Sequence, residues 1–231
     1  GLGDVYKRQG ECREAFLVGM SQEISELEGH GTWKVIERNK KVNITLPDGT
    51  TKIPEVIPIT LAFRIKHWPS GLMRKIKARF CVRRDLQREG VDSVFDTYAP
   101  VASWSSIRML TIMSLQKSWI TKEIDFSNAF VQAPLHKDVY VSLPAMFNDE
   151  SGLPSSHLCL KLLKSLYGMR EAPKLWGNHL AKALVLAGFK VSNFDPGIYY
   201  GRGMAIAVYV DDVLFYGLSK EEMGKVKRKR R

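Results

Sequence analysis

A mixed fold, α/β of the α+β kind, is what the sequence predicts, and three observations carry the prediction. Apolar residues recur at helical spacing within 14–27, 105–115 and 173–188, while short apolar runs bounded by turn residues fill 33–82, 119–124 and 204–216. No repeat of fixed period runs through the 231 residues, which excludes a solenoid or propeller. Composition agrees, since 45% hydrophobic and 26% charged residues suffice for one or two cores and exclude a disordered or collagenous chain.

The elements follow in order. Phe16, Met20, Ile24 and Leu27 lie on one helical stripe, closed by Gly29 and Gly31. From Trp33 to Trp68 the turn signals Pro47-Asp48-Gly49 and Pro69-Ser70-Gly71 separate strands and hairpins. A strand over Ile76–Val82 puts Lys75, Lys77 and Arg79 on one face, because side chains alternate along a strand. A helix over Ser105–Leu115 carries Ile107, Leu110 and Ser114 on its inner stripe, and a strand over Trp119–Ile124 leads to Asp125. Asp138–Leu143 reads as a strand stopped by Pro144. Pro173 opens and Gly188 closes a helix whose Trp176, Leu180 and Leu184 fall four residues apart. Met204–Val210 is an apolar strand, Asp211-Asp212 a turn, and Val213–Tyr216 the return strand.

The net charge of +11 suggests a polyanionic partner, but Lys225, Lys227, Arg228, Lys229, Arg230 and Arg231 supply six of those charges. The body before them is only mildly basic, so nucleic-acid binding must rest on particular residues. Cys12, Cys81 and Cys159 are odd in number and widely spaced, which suits reduced thiols better than disulfides or a zinc site. No run approaches the ~20 apolar residues that span a bilayer, and no signal-peptide core opens the chain, so a soluble intracellular protein without a membrane partner is expected.

Tyr209-Val210-Asp211-Asp212 places two adjacent carboxylates where an apolar strand reverses. Aspartate is common in turns, so the doublet alone fits an ordinary hairpin tip. Ionised carboxylates about 4 Å apart repel by roughly 4 kcal/mol at an effective dielectric of 20, a penalty that a hard divalent cation removes. Asp125 follows a second apolar strand, and pairing of adjacent strands would bring it beside Asp211, while Asp212 would tend to point elsewhere unless the turn redirects it. Three carboxylates suffice for a two-cation site for phosphoryl or nucleotidyl transfer.

Tyr209-Val210-Asp211-Asp212 also resembles the signature hairpin of reverse transcriptases, and Glu123-Ile124-Asp125-Phe126-Ser127-Asn128-Ala129-Phe130 resembles their first catalytic motif. Gly31-Thr32-Trp33, Lys77-Ala78-Arg79-Phe80, Glu89-Gly90-Val91-Asp92, Phe95-Asp96-Thr97-Tyr98-Ala99-Pro100-Val101 and Ser165-Leu166-Tyr167-Gly168-Met169-Arg170-Glu171-Ala172-Pro173-Lys174-Leu175-Trp176 narrow the resemblance to the polymerase of copia-type LTR retrotransposons, over roughly Glu14–Leu218.

The resemblance implies a right-hand polymerase fold with fingers in the N-terminal half and a palm carrying the aspartates. It implies that Asp125, Asp211 and Asp212 are catalytic and hold two Mg²⁺ ions, with Mn²⁺ as a substitute. The partners implied are a primed RNA or DNA template, dNTPs, and the integrase and RNase H domains of a Pol polyprotein. Asn128 and Ala129 match positions whose backbone N–H groups face the triphosphate, and Phe130 matches the aromatic residue that crowds the sugar 2′-position. Lys77 and Arg79 match the fingers strand that offers cations to the phosphates, with the choice between them open. Tyr167 and Gly168 match the loop beneath the incoming base. Cytoplasmic virus-like particles are the implied location, with the nucleus as the alternative.

The expected organisation is a sequencing-adapter translation over 1–9, an N-terminal amphipathic helix over 10–32, fingers and palm over 33–218, and a basic tail over 219–231. Two departures from the family pattern stand out, Arg83-Arg84-Asp85-Leu86 after the fingers strand and a long polar stretch over Asn43–Pro58. The chain stops soon after the catalytic hairpin, so the thumb is expected to be missing and unaided processive polymerisation is not expected. A catalytically inactive nucleic-acid-binding remnant is the alternative function, and a metal-dependent nuclease or integrase the third.

Overall fold

The computed structural model describes residues 13–217 except 42, 46–48, 89–96, 145–146 and 148–152. The adapter-like start, the basic tail, Cys12 and the motif Glu89-Gly90-Val91-Asp92 lie outside the described residues. In chain order the elements are α1 (Arg13–Gly29), β1 (Trp33–Glu37), β2 (Ile44–Thr45), β3 (Thr51–Lys52), β4 (Val56–Ile57), β5 (Ile59–His67), β6 (Met73–Val82), α2 (Trp104–Gln116), β7 (Ile120–Asp125), β8 (Tyr140–Val141), β9 (Leu158–Leu162), α3 (Ala172–Leu186), β10 (Lys190–Val191), β11 (Ile198–Gly201), β12 (Met204–Tyr209) and β13 (Asp212–Gly217). They fall into two compact units, one of residues 1–96 and 130–172, the other of 97–129 and 173–231.

In the first unit, α1 packs its buried Met20, Glu23 and Leu27 inward. Its Gly19 lies so close to β6 that a Cβ would stand 3.0 Å from the Ile76 carbonyl oxygen. The helix stops where Gly31 takes φ +61°, and Thr32 turns both its amide and its hydroxyl onto the Leu27 carbonyl. A four-stranded sheet in the order β1-β9-β8-β4 closes the core, antiparallel except for the parallel β4–β8 pair. Leu27, Trp33, Phe80, Val141, Leu160 and Leu166 meet there. The strand expected over 138–143 is only Tyr140–Val141. Its partner β4 is cut off by Pro58, which has no N–H to extend the ladder.

Strands β5 and β6 form a two-stranded ribbon of their own, paired from Ile59↔Val82 to His67↔Met73. Ile76, Ala78, Phe80 and Val82 face inward, and Lys75, Lys77, Arg79 and Cys81 take the other face, as the alternation predicts.

The second unit is built on a five-stranded antiparallel sheet in the order β10-β11-β12-β13-β7. Met204–Val208 of β12 are all buried, which is why that strand reads as a continuous apolar run rather than an alternating one. Each large apolar side chain fully buried there contributes about 1.5–3 kcal/mol. Leu110 of α2 joins Ala205, Ala207, Ile198 and Tyr216 in the core. The α2 N-terminus is capped by Ser103, whose hydroxyl accepts from the Ser106 amide, and Asp195 accepts from the Ser103 amide and the Ser106 hydroxyl. Gly197 is required by contact, since a Cβ there would lie 2.0 Å from the Ala102 nitrogen. In α3, Trp176, Leu180 and Leu184 form the buried stripe, and Gly188 follows at φ +90°. Among the described residues no helix is long and apolar enough to cross a membrane.

Candidate active site

Asp125 is the last residue of β7, and β12 and β13 are joined by a two-residue turn, Val210-Asp211. Tyr209 pairs with Asp212, and Asp212 pairs with Asp125 across the β13–β7 ladder. The sequence reading expected Asp211 beside Asp125 and Asp212 turned away. The turn takes up only one of the two aspartates, so Asp212 opens the return strand as the direct partner of Asp125, while Asp211 stays alongside, its carbonyl accepting from the Phe126 amide. Directly opposed side chains share a face, with Cβ atoms about 4.5–5.5 Å apart in such a pair.

The turn is an unusual one. Val210 takes φ +54°, a value a β-branched residue rarely adopts, and two hydrogen bonds hold the turn from outside. The Trp176 indole N–H donates to the Val210 carbonyl at 2.8 Å, and the Phe126 amide donates to the Asp211 carbonyl at 3.1 Å. Asp125 and Asp212 are exposed, whereas Asp211 is half-buried with a buried Oδ1. Exposure reduces the repulsion expected from sequence, since charges at about 4 Å interact by only ~1 kcal/mol in water.

The segment after Asp125 carries Asn128 and Ala129, both buried, with Asn128 in the left-handed region at φ +53°. These five residues, Asp125, Asn128, Ala129, Asp211 and Asp212, belong to the second unit.

Lys77, Arg79, Phe130, Tyr167 and Gly168 belong to the first, which means that the candidate nucleotide-binding residues are divided between the two units. Within that unit three of them stack. The Arg79 guanidinium lies 4.9 Å from the Tyr167 ring centroid, and the Phe130 ring meets Tyr167 edge-on at 5.3 Å. The Val82 amide donates to the Tyr167 carbonyl at 2.8 Å. This close approach needs Gly168, at φ +84°, where a Cβ would come within 2.4 Å of the Val82 carbonyl oxygen.

Lys77 and Arg79 line a cavity of about 150 Å³ together with Ala62, Phe63, Arg64 and Lys66. Arg64 stands directly opposite Lys77, and Lys66 opposite Lys75, so the ribbon sets like charges against each other on one face. Arg64 and Lys66 went unnoticed in the sequence, although their two-residue spacing on a strand was the available signal. Beneath the same strand, the Glu23 carboxyl is pushed up to about 7 by burial and by Glu26, with Lys77, Arg79 and the Phe80 amide opposing.

The Arg83–Leu86 departure is a short 3-10 turn in which Arg83 grips Asp85 through two hydrogen bonds of 2.8 and 2.6 Å. Asp85 is held below the ordinary carboxylate range by that hydrogen bonding. The polar stretch 43–58 holds β2, β3 and β4. Cys81 and Cys159 are free thiols.

Aspartate oxygens are hard donors of the kind that Mg²⁺ prefers. Among the described residues no cluster of three or more aspartate, glutamate, histidine or cysteine side chains is gathered to hold a metal ion. Mg²⁺ usually takes only one or two protein carboxylates, with water and substrate phosphate filling the other positions. The Asp125–Asp212 pair with Asp211 alongside fits that requirement in its donor chemistry.

The profile of reverse transcriptase (RNA-dependent DNA polymerase) matches residues 44–231. The chain belongs to that family. Similar proteins include the retrovirus-related Pol polyprotein from transposon RE1 of Arabidopsis thaliana, 32% identical over 208 residues, covering 88% of this chain and 13% of that protein. The corresponding polyprotein from transposon TNT 1-94 of Nicotiana tabacum is 27% identical over 221 residues, covering 93% of this chain and 15% of that protein. The reverse transcriptase chain thus spans a small part of the copia-type polyproteins it matches. A foamy viral protease-reverse transcriptase in complex with double-stranded DNA aligns with a TM-score of 0.43 and 16% identity, over 91% of this chain and 28% of that one. Residues 44–231 thus belong to the reverse transcriptase family, here in a mixed fold of helices and antiparallel sheets.

Proposed function

We propose that this chain carries out the nucleotidyl-transfer step of reverse transcription, adding dNTPs to a primer paired with an RNA or DNA template. The observation that carries the reading is the β13–β7 register, in which Asp212 opposes Asp125 at the sheet end next to Asp211. The three aspartates are the residues suited to hold two Mg²⁺ ions, with Mn²⁺ as a substitute. Bound there, the ions would lower the cost of charge on the attacking 3′-oxygen and on the departing pyrophosphate.

The chain's own residues supply the remaining functions. Arg79, braced on Tyr167, is the better bidentate partner for a triphosphate oxygen, and Lys77 adds a point charge to the same cavity. Backbone N–H groups at Asn128 and Ala129 face the triphosphate. Phe130 crowds the sugar 2′-position, and the Tyr167-Gly168 loop supports the incoming base. The transfer forms a bond from the primer 3′-oxygen to the α-phosphorus and breaks the α–β phosphoanhydride, releasing pyrophosphate. The chain acts as part of a Pol polyprotein, with integrase and RNase H as neighbouring domains, in cytoplasmic virus-like particles.

The test is primer extension on an RNA template with Mg²⁺ and dNTPs, using the chain continued into the following polyprotein segment. We expect extension by the natural sequence and at least a hundredfold loss in Asp211→Asn. Absence of extension, or equal extension by the variant, overturns the reading. Tight, salt-sensitive template binding without any Mg²⁺ dependence would instead favour an inactive binding remnant.

A further inference from the structure

The peptide between Val210 and Asp211 is the central one of a two-residue hairpin turn. In such turns the central peptide can lie in either of two orientations, and the choice sets whether the second turn residue has positive or negative φ. Here Val210 has φ +54° and Asp211 is not among the positive-φ residues, the backbone sense of a type II′ turn. Glycine is the usual residue at the first position, so a valine there stores strain, of order 1–3 kcal/mol. Something outside the turn must select this orientation.

The buried indole of Trp176, 1% exposed, places its N–H 2.8 Å from the Val210 carbonyl oxygen, the atom that would swing away if the peptide flipped. On the other side of Asp211, its own carbonyl accepts from the Phe126 amide at 3.1 Å. Phe126 follows Asp125 directly, and its ring packs on Trp176 at 5.3 Å and 60°. Trp176, Val210, Asp211 and Phe126 therefore form a closed ring of contacts that pins both peptides flanking Asp211 and ties them to the residue after Asp125.

We infer that Trp176 is a positioning residue for the catalytic carboxylates. Its N–H holds the Val210-Asp211 peptide in one orientation, and so fixes the strained turn from which Asp211 projects. The inference rests on the proposed role of the aspartates. The indole ring fills core volume in any case, but only the N–H selects the turn.

The test separates donor from ring. Trp176 is replaced by β-(3-benzothienyl)alanine, which keeps the fused ring and exchanges N–H for sulfur, and in parallel by Trp176→Phe. Mn²⁺ binding is titrated by electron paramagnetic resonance, with Asp211→Asn as the control, and kcat and KM for dNTP are measured in the extension assay. For the isostere we expect Mn²⁺ affinity and kcat each to fall about tenfold, as loss of one buried hydrogen bond implies. KM should stay within about twofold and Tm within about 2 °C, while Trp176→Phe should show the same kinetic change with a lower Tm. Mn²⁺ affinity and kcat unchanged in the isostere would overturn the inference and leave the aspartate reading standing. A rise in KM together with a fall in Tm would also overturn it, by showing a merely structural role. If the natural sequence binds no Mn²⁺, or Asp211→Asn binds it equally, the aspartate reading fails first and the inference with it.

Discussion

The β12–β13 hairpin lies inside a five-stranded sheet, flanked by β11 on one side and β7 on the other, whereas the β5–β6 hairpin is a sheet by itself. The first is apolar along both strands and keeps its charge at one end, in Asp211 and Asp212. The second alternates, with apolar residues on one face and Arg64, Lys66, Lys75, Lys77 and Arg79 on the other. The first can hold a strained turn because neighbouring strands fix its register and Trp176 and Phe126 fix its peptides. The second has a relaxed turn around Pro69-Ser70-Gly71, with Gly71 at φ +82°, and its fixed point is at the root, where Val82 meets Tyr167 and Gly168. The aspartates are thus mounted on a hairpin fixed by its neighbours, and the row of cations on one whose far end is exposed.

Three changes test this contrast. The largest effect is expected from Ile206→Ala at the centre of β12, a fully buried position. It should cost about 3–4 kcal/mol in urea unfolding and speed hydrogen exchange of β12 and β13 amides. A cost below about 1 kcal/mol would mean that the sheet is not the rigid mount described here.

Next comes Glu23→Gln beneath β6. A carboxyl whose folded pKa is raised from 4.5 to about 7 contributes stability that is full below about pH 4.5 and lost as pH rises through 7. The natural first unit should therefore weaken by on the order of 2 kcal/mol between pH 4.5 and 8, and Glu23→Gln should flatten that slope. Equal pH profiles for the two proteins would show that Glu23 ionises freely.

The smallest effect belongs to Ile65→Ala near the ribbon tip, where the side chain is 44% exposed. Its cost should stay within about 0.5 kcal/mol by the same urea measurement. A larger loss would place the tip in a packed environment and erase the contrast.

The helices and the cationic strand were legible because each depends on local periodicity. Trp176, Leu180 and Leu184 repeat every fourth residue, and Lys75, Lys77 and Arg79 every second. The carboxylates at the hairpin end were visible in the sequence, but their register was not. Which aspartate opposes Asp125 depends on a two-residue turn with valine at positive φ, a choice local rules argue against and tertiary hydrogen bonds enforce. Trp176 read as core, which it is, but the partner of its N–H lies 34 residues on and leaves no pattern in the sequence. The return of residues 130–172 to the first unit was likewise hidden, because contacts between distant segments carry no periodic signal.

Among the described residues the β5–β6 ribbon has no third strand beside it, and open strand edges can recruit strands from other molecules. The basic side chains along β5 and β6 therefore do a second job besides lining a cavity. By repelling a second copy of themselves they keep the open edges from templating a cross-molecular sheet. Substitutions that neutralise several of them at once would expose the chain to aggregation even where the fold is intact.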